Sequence, residues 1–60
     1  MEIDMLPEIY QTILVNFGYD VYTGQSLEEA RDAAIKAGFE SVILLDGAHV
    51  ASYSPIGGWK

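Results

Sequence analysis

The chain has a single histidine, His49. A histidine can serve as a base if a nucleophile lies within hydrogen-bond reach and a third group orients the ring. Asp46 is close in sequence but falls at a turn tip, and nothing marks Ser52 or Ser54 as activated. His49 reads instead as an interface or satisfied core residue, and no enzyme activity is expected. With one histidine and no cysteine, the usual zinc ligand sets are closed. Gly57-Gly58 is not a phosphate loop, because no helix follows and no lysine-containing P-loop motif occurs. No metal or cofactor is expected.

Two other groupings carry recognition chemistry. Glu28, Glu29, Asp32 and nearby Asp20 form a candidate acidic face, with Tyr22 and Trp59 as aromatic anchors of the kind that dominate binding energy. Arg31, His49, Tyr53 and the Gly57-Gly58 turn form a candidate small-ligand site at a subunit interface. Alternatives stay open for two of these residues. Arg31 is either a snorkelling stem at the rim or a guanidinium held for an anion. Trp59 either closes one end of a small core or enters a partner's pocket.

The elements that must position these residues run from Ser26 to Tyr53. Ser26-Leu27-Glu28-Glu29 reads as a capping box, in which Ser26 and Glu29 satisfy each other's backbone N–H groups. Gly38 fits a C′ glycine, with Phe39 folding back on Ala34. A helix over 27–37 follows, with Leu27, Ala30, Ala33, Ala34 and Ala37 on one face. Ser41-Val42-Ile43-Leu44-Leu45 predicts a strand apolar on both sides. Asp46-Gly47 predicts a type I′ turn. That turn pairs Leu45 with Ala48, Leu44 with His49, Ile43 with Val50 and Val42 with Ala51. Val42, Leu44, His49, Ala51 and Tyr53 then share the face that the single helix leaves uncovered.

The stretch 9–17 is ambiguous between strand and helix, since apolar residues fall at helical spacing but are β-branched or aromatic. Tyr19-Asp20-Val21-Tyr22-Thr23 is extended. The fold class is α+β: a small single-layer sheet with one capped helix on one face. The order is ββαββ, or αβαββ if residues 7–17 are helical. The strands flanking the helix would be parallel neighbours with a right-handed connection. Residues 1–60 form one domain ending in a short Gly-Gly-Trp tail.

Sixty residues make a domain that buries only roughly 60% of its unfolded surface and needs a further staple. Without cysteine or metal, a homodimer through the open sheet face is the expected one. Nine carboxylates against three basic side chains give a net charge of −6. That argues against direct nucleic-acid or anionic-membrane binding and suits a basic protein surface. Met1-Glu2-Ile3-Asp4 is acidic where a signal peptide is basic, and no apolar run approaches a membrane span, so a cytoplasmic location is expected.

In size and charge the chain resembles phage or mobile-element inhibitors of host-defence or nucleic-acid enzymes, which implies a stoichiometric inhibitor. It is also about as long as the small tautomerases, with a βαβ unit and a glycine-containing C-terminal hairpin. Their base is a proline at the mature N-terminus. Here Glu2 follows Met1 and the first proline is Pro7, so that activity is not carried over. The function expected is a small acidic binding protein acting on a protein partner. The alternatives are a small-ligand-binding homo-oligomer or an accessory module of a larger assembly.

Overall fold

The computed structural model describes residues 8–60. Five strands and one helix follow in order: β1 (Tyr10–Leu14), β2 (Tyr19–Gly24), α1 (Leu27–Ala37), β3 (Ser41–Leu45), β4 (Ala48–Ser54) and β5 (Gly58–Trp59). They form one antiparallel sheet in the order β2-β1-β3-β4-β5. The helix packs on β1, β2 and β3. The class is therefore α+β. Pro7, the sign of a helical start, and the acidic N-terminus lie outside the described residues.

Of the two alternatives for the stretch 9–17, residues 10–14 take the strand, so the β-branched and aromatic side chains outweigh the helical spacing. Two expectations about the order are corrected. β2 and β3 are not parallel neighbours, because β1 lies between them and pairs antiparallel with both. The Gly-Gly-Trp tail is a fifth strand. The Ser54 hydroxyl accepts from the N–H groups of Ile56 (3.3 Å) and Gly57 (3.2 Å), which folds the chain back after Pro55. Gly58 takes φ +81°, and Trp59 then pairs with Tyr53.

The helix is held at both ends. Ser26 Oγ accepts from the Glu29 N–H at 3.1 Å. The reciprocal bond is not direct. The Ser26 N–H donates to Tyr22 Oη at 3.2 Å, and that hydroxyl donates to Glu29 Oε1 at 3.0 Å. Tyr22 thus closes the box from β2. Gly24 must lack a side chain here, since a Cβ would collide with the Tyr22 hydroxyl. At the other end Gly38, at φ +75°, donates to the Ala34 carbonyl. Phe39 meets Phe17 edge-on, with ring centroids 5.2 Å apart.

Small residues bring the helix close to the sheet. Ala30, Ala34 and Ile43 have no exposed surface, and neither do Thr12 and Ser41. Burial of these hydroxyls is tolerated because each donates to a carbonyl: Thr12 to Ala30 at 2.8 Å and Ser41 to Phe39 at 2.9 Å.

The β3–β4 turn has both central residues at positive φ, Asp46 at 51° and Gly47 at 88°, as a type I′ turn requires. It is tied to the start of β1: the Asp46 N–H donates to the Ile9 carbonyl, and Asp46 Oδ1 accepts from the Ile9 N–H. The first two pairs beyond the turn match expectation. The next does not, because Ile43 pairs with Ala51 and Val42 with Ser52. Val50 is a bulge, an extra residue opposite no partner. Ala51 and Tyr53 therefore sit on the helix side, with Ile43 and Ser41. Ser52 joins His49, Val42 and Leu44 on the open side.

β2 carries the same device. Thr12 pairs with Tyr22 and Ile13 with Asp20, leaving Val21 as the extra residue.

Candidate functional site: the open face of the sheet

The helix-free face has an apolar centre. Register places Ile13 of β1 and Val42 and Leu44 of β3 side by side, all partly exposed. Polar groups border the centre at both margins. On the β2 side, Asp20 Oδ2 accepts from Gln11 Nε2 (3.1 Å) and Thr23 Oγ1 (2.8 Å), while Oδ1 accepts from the Tyr22 N–H (3.1 Å). On the other side, His49 Nε2 and Ser52 Oγ share a hydrogen bond of 2.7 Å. Lys60 exchanges both backbone hydrogen bonds with Ser52, which turns the lysine side chain to the same face.

Charge therefore runs across the face from a carboxylate beside β2 to an ammonium beside β5. A cleft of about 210 Å³ occupies the corner near β5, with Val42 and Ser52 among its lining and Glu40 and Lys60 at its borders. The His49–Ser52 pair has the reach of a base and a nucleophile. Among the described residues no carboxylate is hydrogen-bonded to His49 to orient it.

The sequence-derived sites come together only in part. Arg31, Tyr53 and Trp59 meet on the helix side: the guanidinium lies 4.8 Å from the Trp59 ring centroid, and the Tyr53 and Trp59 rings are 4.9 Å apart. That is cation–π and aromatic packing at the edge of the fold. His49 is on the opposite face, so Arg31, His49, Tyr53, Gly57 and Gly58 do not form one site within a chain. The Val50 bulge is the reason, since it turns Tyr53 over while leaving His49 outward.

The candidate acidic face also divides. Glu28, Glu29 and Asp32 are exposed on the helix. Glu29 is engaged by Tyr22, and Asp32 pairs with Lys36 at 3.3 Å. Asp20 faces the open side of the sheet, away from them. Tyr22 and Trp59 are both partly buried and bound within the chain.

Gln11, Ile13, Ser52 and Lys60 were not recognisable as site residues from sequence. A signal for the bulges does exist. Asp20 and Thr23, and again His49 and Ser52, are polar pairs three residues apart in strands whose faces repeat every two. Two polar residues at odd spacing share a face only across a bulge.

Among the described residues no helix is long and apolar enough to cross a membrane, and no group of three or more acidic or histidine side chains could hold a metal ion. No protein-family model, no curated protein and no solved structure matches the chain.

Proposed function

We infer that this chain is a small acidic, non-catalytic binding protein that acts stoichiometrically on a protein partner with a basic surface, as an inhibitor of phage or mobile-element type would. The observation that carries this is the outer side of the helix. Glu28, Glu29 and Asp32 stand exposed there, within five residues, on an element capped at both ends and anchored to the sheet. A rigid display of charge costs little ordering entropy on binding. Like signs repel anionic surfaces, and complementary ones speed encounter.

The test is capture from a lysate of the native host by tagged protein, beside a Glu28→Lys/Asp32→Lys version of unchanged thermal stability. The expected result is a basic protein recovered by the wild type and reduced at least tenfold with the variant. Equal recovery by both, or none by the wild type, overturns the reading.

A second reading is a small-ligand binder with its site between subunits. It is favoured by the cleft between Glu40 and Lys60, which opens on the sheet face that no described element covers.

A further inference from the structure

We propose that the open sheet face is the seat of a second copy of this chain, related to the first by a two-fold axis running along β3. The idea extends the binding-protein reading, because two copies joined by their sheets leave both acidic helices outward.

The strand order supplies the geometry. β3 is the central strand, with β1 and β2 on one side and β4 and β5 on the other. A two-fold along β3 lays β1 over β4 of the second copy and β2 over β5. Val42 and Leu44, on the axis, then meet their own counterparts. Ile13 falls over Ser52, Gln11 over His49, and Asp20 over Lys60 of the second copy. Two sheets stacked in this way meet near the aligned angle set by strand twist.

Charge selects this axis over the other one available. A two-fold running across the strands would lay each strand over its own copy. Asp20 would oppose Asp20 and Lys60 would oppose Lys60. Along β3, both symmetric contacts are attractive. The face is thus self-complementary, as an isologous interface must be. One contact opposes the pairing. Glu40, just before β3, lies at the end of the axis and approaches its own copy.

Size sets the strength. Five strands at ~4.8 Å and six residues at ~3.3 Å make a face of roughly 24 by 20 Å. Two such faces bury on the order of 1,000 Å², the lower end for specific association, so a weak, concentration-dependent dimer is expected.

The experiment uses the whole chain, half of it ¹⁵N-labelled. Sedimentation from low to several hundred micromolar is expected to show a reversible monomer–dimer equilibrium. A zero-length carbodiimide is expected to join Asp20 to Lys60 in peptides of mixed isotope. Within one chain these residues are four strand spacings, or about 19 Å, apart, so such a link forms only between copies.

Lys60→Glu is expected to weaken the dimer about tenfold, and Lys60→Arg, which keeps the charge, to leave it within about twofold. Glu40→Gln is expected to tighten it. A monomer at every concentration overturns the proposal, as does a dimer that ignores Lys60→Glu and gives no mixed Asp20–Lys60 link. Either result leaves capture of a basic partner by the helix surface standing or falling by its own test.

Discussion

β2 and β4 solve the same problem with different chemistry. Each is bulged at a valine, Val21 in one and Val50 in the other. Each carries a polar pair that spans the bulge and is joined by a hydrogen bond on the open face, Asp20 with Thr23 and His49 with Ser52. The bulges also do the same work. The residue after each valine, Tyr22 or Ala51, lands on the helix side.

The difference is in how firmly each is held. Asp20 accepts three hydrogen bonds, one of them from a neighbouring strand. His49 makes one, within its own strand. A bulge next to the helix cap is pinned by a carboxylate. A bulge at the far side is pinned by a single side-chain bond, with Tyr53–Trp59 packing beyond it. Both bulges are thus bridged by polar groups in addition to the ladder on either side.

The largest effect is expected from inserting one alanine between Ala51 and Ser52. Unless the bulge takes up a second residue, the ladder then keeps either the turn or the Tyr53–Trp59 contact, but not both. The expected cost is about 3 kcal/mol or more, the scale of burying one large side chain plus its aromatic partner. Urea unfolding measures it. An insertion that costs under about 1 kcal/mol would mean that the bulge absorbs the added residue.

Next in size is Asp20→Ala, expected to lose about 1–2 kcal/mol because three donors lose a charged acceptor while remaining near water. In a chain of this size each kilocalorie lowers the melting temperature by about 4–8 °C. His49→Ala is expected to cost about 0.5 kcal/mol, one exposed bond. Equal losses for the two would erase the asymmetry. The smallest effect is for Thr23→Val, a few tenths of a kcal/mol, since valine suits the strand and Asp20 keeps two donors.

Much of the fold is legible in the chain, and the reason is local. Asp46-Gly47 fixes a turn because only certain residues accept two consecutive positive φ angles. Ser26 and Gly38 bound the helix by the same kind of short-range chemistry. The site is less legible because it depends on register. One extra residue at Val50 moves Tyr53 across the sheet and separates it from His49. The capping box closes directly on one side only, since the Tyr22 hydroxyl of β2 stands between Glu29 and the Ser26 N–H. Nothing in the box itself indicates that third party. The fifth strand follows from how Ser54 folds the turn, a contact between residues two and three apart that leaves little pattern in sequence.

Trp59 is the single tryptophan of the chain, and it sits on the helix side against Tyr53 and Arg31. The molecule therefore carries an optical reporter confined to its outermost strand. Its emission follows the docking of β5, whereas far-ultraviolet ellipticity follows the helix. On heating, the two signals coincide only if the edge of the sheet melts together with the rest. Dissociation of the proposed dimer is expected to leave the emission unchanged, because the ring faces away from the open side of the sheet.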